Sequence, residues 1–167
     1  MATEPGRSNA QPPAGPNDGL HDSAPRVFVD FDGVLRRDGS PRERLDTDCV
    51  ERFADCVLAH DAARVVIAST WRLVFTLDAL RAMFPARLAP RIEGATPQLR
   101  TANVNRIRAD EVAAYLHAAG AGAARWIAVD DKPALYGPGA PVLAVDPVLG
   151  FDTRCAEHLQ QWLAARA

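Results

Sequence analysis

At 167 residues the chain is long enough for one domain with a substantial core and too short for two comfortable ones. Apolar residues make up 48%, charged residues 24%, and the formal net charge is −2, so no global basic character announces a nucleic-acid partner. No apolar run approaches the roughly 18 residues of a membrane span, and no membrane partner is expected.

The first 24 residues, rich in Pro, Gly, Ala and Asn, have neither a basic start nor an apolar segment of the secretory kind. They are expected to form a disordered leader, with a single folded domain over 25–167. Cys49, Cys56 and Cys155 are odd in number and lack a C-x-x-C spacing. Cys49 and Cys56 fall seven apart on a predicted helix, about 10 Å along its axis, too far to bridge. Buried, reduced thiols and a cytoplasmic location are the expectation.

From Arg26 the chain alternates short β-rich runs with helical stretches, which predicts a mainly parallel sheet in a three-layer α/β/α sandwich. RVFVDF, residues 26–31, is the first predicted strand. A polar, arginine-rich stretch follows, with a turn at Asp38-Gly39-Ser40-Pro41. Val50, Phe53, Val57 and Leu58 recur at helical steps behind candidate caps at Asp46 to Asp48. RVVIAS, 64–69, is a continuous apolar run suited to a strand buried on both faces. LVFTLDALRAMF, 73–84, predicts a helix closed by Pro85, and 90–97 a short third strand. A helix over 103–122 should turn Val112, Tyr115, Leu116 and Ala119 inward. RWIAVD (125–130) and PVLAVD (141–146) are the fourth and fifth strands. A closing helix over 153–167 should bury Cys155, Leu159, Trp162 and Leu163.

In open parallel sheets ligands bind beyond the carboxyl ends of the strands. Those ends carry Asp30 and Asp32, then Ser69 and Thr70, then Asp130 and Asp131. Asp, Ser and Thr also cap loops and helices, but three such ends directly after apolar strands point to one site. Residues two apart in an extended chain face the same side, about 6–7 Å apart. Four aspartates at one edge would repel, and desolvating an unpaired ion costs several kcal/mol. A hard divalent cation removes the conflict, and oxygen ligands suit Mg2+. Asp30, Asp32, Asp130 and Asp131 are therefore the candidate metal residues.

Together these residues resemble the haloacid dehalogenase (HAD) superfamily: D-x-D-G-V-L after one strand, Ser/Thr after a second, D-D after a fourth. More narrowly, VDFDGVL, STWR, R-x-x-E-V at Arg108 to Val112, WIAVDD and VDPVLGF resemble the HAD domain of Swiss Army Knife RNA repair proteins, over roughly residues 26–165. The resemblance implies a Rossmann-like HAD sheet and Mg2+-dependent phosphomonoester hydrolysis. Asp30 would be the nucleophile that becomes an aspartyl-phosphate. Asp32 would protonate the leaving oxygen and then activate water. Ser69, with Thr70 as neighbour and alternative, would bind a phosphoryl oxygen. Asp130 and Asp131 would hold the metal with Asp30 and the carbonyl of Asp32. Arg108 best fits the place of the family's phosphate-stabilising cation, with Arg106 and Lys132 as competitors; Lys132 is the only lysine in the chain. Gly33, Arg72 and Lys132 complete the expected substrate-binding positions.

A dehalogenase needs no general acid, so Asp32 favours phosphate chemistry. The segments between strands leave room for a flap and single helices but no cap domain, and an open site suits large substrates such as nucleic-acid ends. Arg36, Arg37, Arg42, Arg44 and Arg72 are possible polyanion contacts, although Asp38 and Glu43 interleave and favour a charge-mixed, solvated loop. His21, His60, His117 and His158 show no metal-ligand spacing, and Trp71, Trp126 and Trp162 read as core residues. A HAD-fold module that only binds a phosphorylated partner is the competing class, but such a binder gains nothing from keeping Asp32. A receiver domain orders its acidic residues differently.

Overall fold

The computed structural model describes residues 23–42, 44–100, 104–122 and 124–165. Five short strands, β1 (Arg26–Val29), β2 (Arg64–Ile67), β3 (Ile92–Ala95), β4 (Trp126–Asp130) and β5 (Val142–Ala144), form one sheet in the order β3-β2-β1-β4-β5. All four pairings are parallel, with β1 central: Val27 lies opposite Val65 on one side and Ile127 on the other. The chain builds outward from β1 to β3, then crosses back to lay β4 along the other edge of β1. That reversal opens a crevice between the ends of β1 and β4, the place where parallel sheets bind ligands.

Strand alternation divides the core. Val27, Val29, Val65, Ile67 and Val129 point to one face, where they meet α1 (Thr47–Leu58), α2 (Leu77–Arg81) and α4 (Thr153–Ala164). Phe28, Val66 and Ala128 point to the other, against Val112 and Leu116 of α3 (Ile107–Ala118). Helices thus cover both faces, giving the expected three layers. Phe53 of α1 meets Phe151 edge-on at 5.4 Å, which ties α1 to the start of α4. Cys49, Cys56 and Cys155 are free and buried. Among the described residues no helix is long and apolar enough to cross a membrane.

The structure corrects several expectations. The strand predicted to reach Phe31 ends at Val29: Asp30 N–H still bonds the Val129 carbonyl at 3.0 Å, but the Phe31 carbonyl then accepts from Val34, Leu35 and Arg36. The chain curls there because Phe31 plunges into the core, edge-on to Trp71 and Phe84. The helix predicted over 73–84 is instead a 3-10 turn, Thr70–Leu73, followed by the five residues of α2. Thr76 interrupts it, its hydroxyl accepting from Ala79 N–H as a fresh N-cap. Asp46 heads α1, but its carboxylate serves the preceding flap, accepting from Arg37 N–H and the Ser40 hydroxyl. Ala119 is exposed, and Trp162 is half-buried beneath the Arg125 guanidinium. Residues 1–22 of the expected leader lie outside the described residues, whereas Ala24 is already buried and its carbonyl accepts from Arg26.

Leu159, fully buried where α4 meets the sheet, measures how far the core depends on α4. Leu159→Ala should cost about 2–5 kcal/mol, read as a lower midpoint of urea unfolding with an unchanged slope.

Candidate active site

Asp30 lies at the end of β1, almost wholly buried, and its Oδ1 accepts the Phe31 N–H at 2.8 Å. Asp130 ends β4 with no exposed surface. Its Oδ1 accepts from Lys132 N–H at 2.8 Å and its Oδ2 from the Tyr136 hydroxyl at 2.9 Å. Asp131 follows, half-buried, and each of the three aspartates offers a carboxylate oxygen within 4.8 Å of the other two. At an effective dielectric near 20, each pair of like charges at that separation repels by about 3 kcal/mol.

Gly33 allows the cluster to close. Its φ is +78°, and a Cβ there would lie 2.6 Å from the Asp131 Cγ. It admits the Asp131 carboxylate against the backbone.

The nearest buried positive charge is Arg108, near the start of α3. Its Nη2 stands 3.7 Å from Asp30 Oδ2 and its Nε 4.0 Å from Asp130 Oδ2. The same guanidinium donates to the Ala68 carbonyl and lies 3.6 Å from Glu111, so its charge is shared. Lys132 extends from the exposed side to Asp131 at 3.2 Å. Arg106, the other candidate cation, is exposed and pairs loosely with Asp110 at 3.8 Å. Of the three candidates, the geometry brings Arg108 to Asp30. Burial, and after it the charge of Asp130, raises the Asp30 pKa to about 7 against the pull of Arg108, the Phe31 N–H and the Ser69 hydroxyl. Burial also raises Asp131, with Lys132 opposing. A cluster of hard oxygen donors short of positive charge fits a divalent cation, and Asp30, Asp130 and Asp131 are the residues that could hold it.

Asp32 is the exception. Its carboxylate does not join the cluster: Oδ1 accepts from Arg36 Nε at 2.6 Å and Oδ2 from Trp71 Nε1 at 2.9 Å. The expectation that Asp30 and Asp32 share one counter-charge is thereby corrected. The chain curls after Asp30 instead of extending, so the two side chains part and Asp32 finds its positive partner four residues on.

Ser69, fully buried at the end of β2, hydrogen-bonds the Asp30 carboxylate and accepts from Trp71 N–H at 3.4 Å. Thr70 is exposed and faces a neighbouring cleft. Arg72, expected at the substrate, is turned inward with 6% of its side chain exposed. It pairs with Glu111 at 2.7 Å and donates to the carbonyls of Ser69 at 2.7 Å and Ala68 at 3.2 Å. Burial lowers its pKa, and Glu111 opposes the shift. Arg72 therefore braces the Ser69 segment. Arg36 is committed to Asp32, while Arg37 grips Asp48 and the Leu149 carbonyl. Arg44 lies away from the aspartates, beside Glu51 and Phe84. The charge-mixed reading of this loop holds for Arg36 and Arg37.

Sequence reasoning assigned no role to Glu111 or Tyr136, and it offered Arg36 as a polyanion contact and Trp71 as a core residue rather than as the partners of Asp32. Glu111 carried a signal: it stands three residues after Arg108 on one helix, hence on the same face. Tyr136, in the turn Pro133–Tyr136, carried none.

A parallel sheet with its acidic cluster at the switch between β1 and β4 defines a HAD-type Rossmann-like domain. The family model for the HAD domain in Swiss Army Knife RNA repair proteins matches residues 26–156, and the chain belongs to that family. Membership points to hydrolase chemistry. No curated protein and no solved structure matches the chain.

Because Asp30 binds its proton more tightly folded than unfolded, the metal-free folded state holds more protons between pH 4 and 7. In EDTA, stability should therefore fall as pH rises from about 4 to about 7 and level off above, and Asp30→Asn should flatten that slope. Thermal melts across this range check it; a rise through the window would contradict the Asp30 environment.

Proposed function

We propose that the protein is a divalent-metal-dependent phosphatase, with Mg2+ the proposed ion and phosphorylated nucleic-acid ends the proposed substrates. The observation that carries this reading is the division of labour between the first two aspartates. Asp30 sits buried among Asp130, Asp131, Arg108 and Ser69, while Asp32, two residues away, is held apart by Arg36 and Trp71. One carboxylate is placed where a phosphoryl group's negative oxygens would meet positive charge and a hydroxyl. The other is placed beside it, on hydrogen bonds that fix its direction.

In this reading Asp32 enters protonated, with one oxygen released from Arg36 or Trp71 to carry the proton. An Asp30 oxygen attacks phosphorus, the bond to the leaving oxygen breaks, and Asp32 gives its proton to that oxygen. Asp32 then takes a proton from water as the water attacks the aspartyl-phosphate, which releases phosphate and restores Asp30. Arg108 and the Ser69 hydroxyl donate to the phosphoryl oxygens during both transfers. A cation held by Asp30, Asp130 and Asp131, with the Asp32 carbonyl that the family resemblance adds, would offset the charge of those oxygens. Tyr136 and the Lys132 N–H hold Asp130 in place, and Glu111, itself paired with Arg72, shares the charge of Arg108. The family's RNA repair context supports a nucleic-acid substrate, as does the absence of a cap domain among the described residues.

Hydrolysis of an aryl phosphate should require Mg2+ and vanish in Asp30→Asn; undiminished turnover in EDTA would refute the reading. Asp32→Asn should retain transfer from an activated aryl ester, whose leaving group needs little protonation, yet lose a factor of about 10²–10⁴ on alkyl esters. Equal losses on both ester types would remove Asp32 from the role of acid.

A further inference from the structure

A cleft of about 590 Å³ opens beside Asp32, walled by Trp71, Leu73, Val74 and Phe75 with Arg42 at its rim. A phosphate needs only a small part of that space, whereas sites for small organic molecules run roughly 300–1,000 Å³. Two of the walls are unusual for a surface: Leu73 is 49% exposed and Val74 81% exposed. Apolar side chains held open beside a carboxylate await an apolar occupant.

The position of Asp32 says which part of a substrate that occupant is. A proton donor must lie within hydrogen-bond reach of the leaving oxygen, so the group attached to that oxygen lies on the side of Asp32. The cleft is that side, since Asp32 itself lines it. Its walls also have a fixed shape. Trp71 is held by its bond to Asp32, stands edge-on to Phe31 at 5.6 Å, and packs against Phe75 with ring centres 5.7 Å apart. Rings immobilised in this way suit a flat partner, and an arginine at the rim adds attraction to a ring face.

We propose that the cleft is a leaving-group subsite, taking a flat aromatic ring carried on the alcohol side of the phosphomonoester. The proposal rests on the phosphatase reading, and its test is arranged to separate the two. Benzyl and methyl phosphate release alcohols of nearly equal acidity, so a difference in kcat/KM between them reports on the ring and not on the chemistry. Benzyl phosphate should be preferred at least tenfold, the scale at which apolar pockets discriminate. The Leu73→Ser/Val74→Ser double variant should lose most of that preference, while Val74→Leu, which keeps an apolar wall, should retain it. Cyclohexylmethyl phosphate, of similar size but not flat, should fall well below the benzyl ester. Equal rates for benzyl and methyl esters, an unaltered ratio in the double variant, or parity of the cyclohexylmethyl and benzyl esters would each overturn the proposal. Should the wild type hydrolyse neither these esters nor an activated aryl phosphate with Mg2+, the phosphatase reading fails; should it hydrolyse only the aryl ester, that reading stands. In either case binding of benzylphosphonate followed by tryptophan fluorescence decides the cleft. Saturable quenching that the double variant loses supports the subsite, and absence of quenching overturns it.

Discussion

Three carboxylates crowded into the crevice between β1 and β4 form the constraint around which the molecule is arranged. Close-packed like charges in a poorly solvated site are unfavourable, and the surrounding structure answers each with a donor. Asp30 receives the Phe31 N–H, the Ser69 hydroxyl and the approach of Arg108; Asp130 receives Tyr136 and the Lys132 N–H; Asp131 receives the Lys132 ammonium. The donors do not neutralise the cluster. They orient it, and they leave a shortage of positive charge that a cation can fill.

Behind the aspartates, Glu111 lies between two buried arginines, 2.7 Å from Arg72 and 3.6 Å from Arg108. Removing one partner from such a buried network is far costlier than its net contribution would imply, because the remaining charges stay buried without compensation. The network links α3 to the end of β2, so the segment that presents Ser69 and the helix that presents Arg108 hold a common position. Its value is geometric: the end of a strand and the helix packed over the sheet are held in register around one carboxylate.

Much of this was legible in the sequence, and the misses share a cause. The continuous apolar run at Val65, Val66 and Ile67 gave away a strand buried on both faces, and the polar residues at the strand ends marked the site because a parallel sheet gathers those ends. Sequence position could not say which charge answers which. Arg72 looked like a substrate contact beside Ser69 and Thr70, yet the 3-10 turn carries it inward to Glu111, a residue 39 positions away. Asp30 and Asp32 looked like a pair because an extended strand would face them alike, yet the curl at Phe31 parts them. The helix predicted over 73–84 rested on its apolar spacing; the run Val74-Phe75-Thr76 is weak in helix propensity and Thr76 caps a fresh start, and local competition of that kind leaves little trace in hydrophobic periodicity.

Lys132 has a consequence beyond the site's electrostatics. It is the one side-chain amine of the chain, and it sits on the solvent side of the acidic cluster, 58% of its side chain exposed and paired with Asp131. Amine-selective reagents therefore have a single side-chain address on this molecule, at the lip of the crevice. Acylation there would turn the ammonium into a neutral amide and deepen the negative charge around Asp131. A reporter group attached by ordinary lysine chemistry would stand beside the aspartates without any engineered cysteine, and its signal would register whatever enters or leaves their company.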